Sequence, residues 1–237
     1  MPISRTSLRE QVRDELLHRI GSGKLAPGDR IVEATIAEEL GVSSVPVREA
    51  IRELVAMGIL ESGHHKGGWV REVSIPETIQ ALQVRSALES LAARLAAPAI
   101  RERIPRMRDH VSRIVGAARR RDFVAFQDAN QALHRDIVEA SGNRILRKQW
   151  DSLAFDVRTR AIMDYIAAVD PVEIAKEHEA IVDAFDQADA ERAATLLAAH
   201  SAHLVDHLRR AMAREQEAEA TGIAAGTACE TVQAAQG

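Results

Sequence analysis

Cysteine is almost missing from this chain. Cys229 stands alone, which excludes an intramolecular disulfide and a cysteine-built zinc site. Aromatic residues make up only 3% of the composition. The core must therefore be aliphatic and alanine-rich, unlike a β-sandwich or barrel, whose strands favour aromatic and β-branched side chains. No apolar run approaches the roughly 20 residues needed to span a bilayer. The opening MPISRTSLREQ lacks the apolar segment of a secretion signal. A cytoplasmic protein with no membrane partner is the expectation. There is also no glycine-rich phosphate loop, no supported Ser/His/Asp order and no reactive cysteine environment, so no catalytic residue is nominated. What is present is 46% hydrophobic and 28% charged residues over 237 positions, which suits one large or two small globular domains. The net charge of -4 argues neither for nor against nucleic acid.

Alanine marks a boundary. Residues 1–75 hold 5 alanines and residues 76–237 hold 36. The expected organisation is a small domain over 1–75, a larger all-α domain over 76–215, and a disordered tail over 216–237, where the apolar periodicity is lost.

In the first part, Leu8, Val12, Leu16 (or Leu17) and Ile20 trace one face of a helix, ended by Gly21 and Gly23. Ala26-Pro27-Gly28-Asp29 reads as a turn. A second helix over 33–40 turns Ile36, Ala37 and Leu40 inward and stops at Gly41, where a left-handed cap is needed. Ser43 or Ser44 can cap a third helix, which tolerates Pro46 in its first turn and buries Val47, Ile51, Leu54 and Val55. Ile59-Leu60-Glu61 and Trp69-Val70-Arg71 read as two strands of a hairpin around His64-His65-Lys66-Gly67-Gly68. Two short helices with a tight glycine turn, followed by a hairpin, make a winged helix-turn-helix. The second helix of such a pair offers its N-terminal residues to base edges in the major groove. Those residues are Ser43, Ser44, Val45 and Arg48, and Lys66 on the wing is placed for a phosphate or the minor groove. The competing reading is a small helical domain with ordinary caps. Residues 1–75 carry 10 Lys+Arg against 11 Asp+Glu, so a basic footprint is missing.

The second part reads as six helices, near 76–97, 103–119, 122–140, 143–168, 171–187 and 189–214. Val84, Leu88, Leu91 and Leu95 set the apolar seam of the first; Met107, Val111, Ile114 and Ala118 set that of the second. Three later seams carry polar side chains where apolar ones belong: Asn130 with His134 one turn on, His178, and His200 with His203 and His207. A buried polar group must find a partner. Several converging groups suggest a shared one, and imidazoles suit Zn²⁺ or Ni²⁺. Alternatively these are separately satisfied core or rim histidines. Arg85 and Glu89, four apart, read equally well as a surface pair.

Leu25-Ala26-Pro27-Gly28, Ile36-Ala37-Glu38-Glu39-Leu40-Gly41-Val42-Ser43, Pro46-Val47-Arg48-Glu49-Ala50 and Lys66-Gly67-Gly68 together resemble the DNA-binding domain of GntR-family transcriptional regulators. Arg85-Ser86-Ala87-Leu88-Glu89, Leu133-His134, Ala140-Ser141-Gly142-Asn143 and Glu177-His178-Glu179-Ala180-Ile181 resemble the FCD effector-binding domain of its FadR-like branch. The implied fold is mainly α: a winged helix-turn-helix followed by an all-α, FCD-like helical bundle. In that family Arg and Thr usually precede the proline of the recognition helix. Here Ser44 and Val45 stand there, which removes one charged contact, while Arg48 matches a DNA-contacting position. The resemblance also implies a divalent metal held by His134, His178 and His200, with Asn130 where an Asp usually sits. It implies an effector pocket faced by Arg85; Arg158 and Arg160 are further candidates.

The resulting expectation is a metabolite-responsive repressor, a homodimer on double-stranded operator DNA, that takes a small carboxylic or sugar acid. The alternatives are an all-α metal-dependent enzyme acting on a small acid, and an architectural DNA-binding protein with no effector.

Overall fold

The computed structural model describes residues 7–62, 67–96, 99–160, 162 and 171–220. Helix α1 (Leu8–Gly21) starts at a reciprocal cap, with the Ser7 hydroxyl accepting from the Glu10 amide and the Glu10 carboxylate accepting from the Ser7 amide. Strand β1 (Arg30–Val32) leads directly into α2 (Glu33–Leu40). Gly41 closes α2 at φ 64°, ψ 33°, the left-handed cap its position requires. Helix α3 (Ser44–Ala56) follows an extended Ser43 whose hydroxyl makes no capping bond. Then come β2 (Leu60–Ser62) and β3 (Gly67–Val70).

The sheet is antiparallel in the order β1-β3-β2, with Leu60 opposite Val70 and Ile31 opposite Gly68. Strand β1 lies in the stretch that the sequence reading left between a turn and a helix. Its middle residue, Ile31, is buried and completes the underside of the sheet. A Cβ on Gly68 would sit 2.7 Å from the Glu61 carbonyl oxygen, so only glycine lets β2 and β3 close here. The helices and sheet enclose Val12, Leu16, Ile36, Val47, Ile51, Leu54 and Leu60.

The rest is a helical bundle: α4 (Ile75–Ala96), a 3-10 turn (Ile100–Arg103), α5 (Ile104–Arg120), α6 (Phe123–Ala140), α7 (Arg144–Ser152), α8 (Phe155–Arg160), α9 (Pro171–Asp186) and α10 (Ala190–Ala220). Helix α4 packs on α10 and α6, α5 on α6 and α9, and α9 on α10. Ala92, Ala93, Ala96, Ala117, Ala129, Ala175, Ala193 and Ala194 are buried in the core, and their small side chains let the backbones approach closely. Met107, Val111, Ile114 and Ala118 are buried on α5 as its periodicity predicts. None of the described helices is long and apolar enough to cross a membrane.

Three expectations are corrected. The stretch 143–168 is not one helix. It breaks at Leu153 and Ala154, where Ala154 takes φ 44°, and the Arg158 Nε donates to the Leu153 carbonyl at 2.8 Å. On α4 the buried stripe runs through Ile79, Leu82, Arg85, Glu89, Ala92 and Ala96, whereas Val84, Leu91 and Leu95 face outward. Alanine allows close packing on that stripe, and the two charges neutralise each other, so the polar side went in. Finally, α10 continues to Ala220, five residues into the expected tail; 221–237 lie outside the described residues.

The two halves share material. Ala154, just before α8, and Val157, within it, are buried in the same apolar cluster as Val12, Leu16 and Leu54.

Candidate functional site

In the winged part, Ser43, Ser44 and Val45 are exposed at the start of α3, and Val45 keeps 60% of its surface in solvent. Arg48, one turn further, is partly exposed, with Nε bonded to the buried Glu33 carboxylate at 2.9 Å. Glu33 thus aims Arg48 from below and leaves its terminal nitrogens to other partners. Lys66, the wing candidate, lies outside the described residues. Trp69 on β3 is partly exposed, with the Arg30 guanidinium 5.7 Å from its ring centre.

In the bundle, α6, α9 and α10 bring His134, His178 and His200 together. Ring centres are 5.6 Å apart for His134–His178, 5.7 Å for His134–His200 and 4.4 Å for His178–His200. One nitrogen from each lies within 4.8 Å of the others. Asn130, Arg85, His134 and His200 line one cavity with Phe126, Gln127, Phe155, Thr159 and Leu204. The cavity has a volume of about 30 Å³. Roughly 10–15 Å³ accommodates one water, so the cavity suits a compact ligand.

The outer nitrogens fix the chemistry of the inner ones. His134 Nδ1 meets Glu89 Oε2 at 2.8 Å. His200 Nδ1 meets Glu177 Oε2 at 2.6 Å. His178 Nδ1 faces the Ala175 carbonyl at 3.3 Å. An ionised carboxylate and a carbonyl can only accept, so each Nδ1 carries a proton, and wherever the ring is neutral its Nε2 presents a lone pair. Burial pushes His134 down to about 4, despite Glu89 favouring its charged form. Burial also drives His178 well below its ordinary value. Both are therefore neutral at neutral pH, as metal ligation requires. Burial works to raise Glu89, but Arg85 and then His134 overcome it and hold the carboxyl well below its usual range. Burial likewise works to raise Glu177, and hydrogen bonds from His200 and His203 reverse it.

The buried Nε2 atoms of His134 and His178, Oδ1 of Asn130 and Nη2 of Arg85 have no hydrogen-bond partner among the described residues. Unpaired buried polar atoms cost free energy. Two bare imidazole nitrogens and an amide oxygen around one space, with His200 alongside, form a donor set that fits a divalent first-row metal.

Arg85 is not at the surface. Its Nε bonds Glu89 Oε1 at 2.5 Å, the Trp150 indole N–H reaches the same oxygen at 2.8 Å, and its guanidinium lies 4.2 Å from the Phe155 ring centre. Arg158, offered as another cavity residue, points elsewhere: to the Met57 carbonyl at 3.1 Å and to Glu77 at 2.5 Å, which ties α8 to the end of α3 and the start of α4. The side chain of Arg160 lies outside the described residues. His203 is exposed and bonds Glu177, not the cavity, because the buried seam of α10 runs through Leu197, Ser201, Val205 and Leu208. Glu89, Glu177 and Trp150 are site residues that sequence reasoning missed.

Two family models match. Residues 8–70 fit bacterial regulatory proteins of the gntR family, and residues 80–203 fit the FCD domain. A probable D-xylose utilization operon transcriptional repressor of Paenarthrobacter nicotinovorans is 37% identical over 84% of this chain and 88% of its own length. The HTH-type transcriptional regulator McbR of Escherichia coli K12 is 28% identical over 73% of this chain and 77% of its own length. A solved structure of E. coli McbR/YncC superposes with a TM-score of 0.73 at 24% identity, covering 88% of this chain and all of that one.

Proposed function

Because the chain belongs to the GntR family of bacterial regulatory proteins and carries an FCD domain, and so is a DNA-binding transcription regulator with an effector domain and not an enzyme, we propose that it is a metal-dependent repressor relieved by a small acid. In this reading residues 1–75 bind operator DNA through Ser43, Ser44, Val45, Arg48 and Lys66, and residues 76–215 take the effector. His134, His178, His200 and Asn130 would hold the divalent ion, Zn²⁺ or Ni²⁺. The ion would supply positive charge and open coordination positions to an anion. Three neutral imidazoles and an amide leave that charge uncompensated. A carboxylate or hydroxy-acid is the natural complement, with Arg85 Nη2 as a second anchor. The observation that carries this reading is a set of buried atoms without a hydrogen-bond partner among the described residues: Arg85 Nη2 on α4 with Asn130 Oδ1 and His134 Nε2 on α6, whose residues line one compact cavity, and His178 Nε2 on α9, whose ring packs against His134 and the cavity-lining His200.

Helix α8 supports a route to the DNA-binding half. Phe155 and Thr159 line the cavity, while Ala154 and Val157 belong to the apolar cluster of the winged part and Arg158 binds the carbonyl of Met57 after α3. A ligand that displaces Phe155 moves a helix that packs on α1 and is bonded through Arg158 to the carbonyl at the end of α3. We also propose a homodimer on a pseudo-palindromic operator. The winged part is not basic, and two half-sites multiply affinity through effective concentration.

The test selects operator fragments from random duplex DNA. Their binding is then measured by fluorescence anisotropy with and without Zn²⁺ or Ni²⁺ and a panel of small hydroxy and sugar acids. One acid should weaken DNA binding only when metal is present. His178→Ala should keep DNA binding and lose the response. Should an acid release DNA equally well from metal-free protein and from His178→Ala, the metal has no part in it.

A further inference from the structure

We propose that Glu89 and Glu177 are positioning residues of the metal centre, holding His134 and His200 with Nε2 inward and supplying from behind the rings the negative charge that the neutral ligands lack. The inference rests on the metal reading above and adds to it. Neither carboxylate touches the cavity; each acts through one imidazole.

Glu89 is completely buried and fully used. Oε2 takes the His134 Nδ1 proton, and Oε1 takes both Arg85 Nε and the Trp150 indole N–H. A buried carboxylate is costly unless its oxygens are satisfied. Here both are, by three groups from α4, α6 and α7. One of the three is the imidazole that presents its bare nitrogen to the cavity. Glu177 does the same for His200 across α9 and α10, and its second oxygen is taken by the exposed His203 at 2.8 Å.

The arrangement has two effects. An acceptor-only partner behind the ring forbids the tautomer that would put a proton on Nε2, so the lone pair faces inward before any ion arrives. It also makes the ring a better electron donor, since positive charge drawn onto the imidazole is met by the carboxylate. His178 has only the longer Ala175 carbonyl contact behind it. Because Asn130 is neutral, Glu89 and Glu177 are the two carboxylates that lie one ring away from the ion's place. Glu89 shares its charge with Arg85, so Glu177 contributes the larger net charge and Glu89 the stricter orientation. Keeping negative charge out of the inner shell leaves coordination positions there for an anionic ligand.

Outer partners of this kind typically contribute 10–100-fold in metal affinity. The experiment measures Zn²⁺ affinity of the full chain by competition with a chromophoric chelator. It compares wild type, Glu177→Gln, Glu89→Gln, the neutral pair Arg85→Gln with Glu89→Gln, His203→Ala and His178→Ala. Nitrogen-15 NMR of the metal-free protein gives the histidine tautomers. Glu177→Gln and the Glu89 variants should each lose about 10–100-fold, and wild-type His134 and His200 should carry the proton on Nδ1. His203→Ala, which leaves the Glu177–His200 bond in place, should keep wild-type affinity. The neutral pair guards against a Glu89→Gln chain that fails to fold around an unpaired Arg85. If folded Gln variants bind within twofold of wild type while His178→Ala does not bind, the metal centre stands and the positioning roles fall. A proton on Nε2 of His134 or His200 in the wild type overturns them as well. If wild type takes no Zn²⁺, or His178→Ala takes it equally well, the centre itself is wrong and this proposal goes with it.

Discussion

Single side chains decide how this protein responds to acid. His134 is pushed to about 4 from an ordinary 6.5, His178 lies well below that value, and Glu89 is held below the usual carboxylate range. For each group the unfolded chain takes up protons more readily than the folded one. For the two histidines this stability is fullest above the ordinary histidine value and is lost as pH falls toward that of the buried imidazoles, and Glu89 adds a further loss only below the ordinary carboxylate value. Each group contributes at most about 1.4 kcal/mol per pH unit. Urea midpoints of the metal-free protein should fall between about pH 7 and about pH 4, and a flat profile would contradict the buried neutral imidazoles. Arg48 gives a second prediction at this scale. On the proposed reading, with Ser44 where the family usually has an arginine and Glu33 bonded to its Nε, Arg48 would carry much of the direct readout. Arg48→Ala should weaken binding to selected operator DNA by roughly 10–100-fold, the worth of about 1–3 kcal/mol for one bidentate base contact. Its circular dichroism should be unchanged. The histidines and Asn130 were legible in the sequence because each interrupts an apolar seam. Glu89 was not, because Glu four residues after Arg looks the same on a solvated face as inside a core. The one available signal was the alanine run that follows on its stripe, Ala92, Ala93 and Ala96, which marks that side as the tightly packed one.

Among the elements, periodicity located the long helices, and glycine located the turn of the helix-turn-helix. It could not locate β1, whose three residues are shorter than any repeat. Nor could it find the break before α8, where neither glycine nor proline marks the change and an alanine takes the positive φ. That break gives α8 its two faces. Arg158→Ala removes the bonds to Leu153, Met57 and Glu77 and leaves carbonyls without their donor. Hydrogen bonds to charged groups are worth about 1.5–3 kcal/mol each. Calorimetry should therefore show a lower melting temperature, with the single transition separating into two. Metal and acid should still bind, while their effect on DNA affinity should shrink. An unaltered DNA response in this variant would place the coupling elsewhere.

For the whole molecule, the outward side of α4 carries Val84, Leu91 and Leu95 at 51%, 45% and 43% exposure. These residues share one side of the helix, and an apolar patch in water usually has a partner. The partner we infer is the same stripe on a second copy, since a two-fold axis sets a patch against itself. Leu91→Glu should then sediment as a monomer at micromolar concentration and bind a full operator no better than a half-site. A wild-type chain that sediments as a monomer would remove the dimer altogether. The stripe was visible in the sequence as a helix seam. The error was to assign it to the interior, because a pattern of apolar positions does not say which apolar face a single chain covers for itself.

The placement of the two tryptophans makes the protein its own optical instrument. Trp150 is buried with its N–H on Glu89 and its ring near Arg85 and Arg135; Trp69 is partly exposed on β3, beside Arg30. With no third indole in the chain, tryptophan fluorescence, excited to the red of the single tyrosine's absorption, has two sources, one next to the histidine cavity and one on β3. Emission from the buried ring should lie to the blue and respond when Arg85 changes partners. Emission from the wing should lie to the red and be quenched by stacked bases. Trp69→Phe leaves a reporter of the effector alone and Trp150→Phe a reporter of DNA alone, so the two occupancies can be followed in one cuvette without a dye.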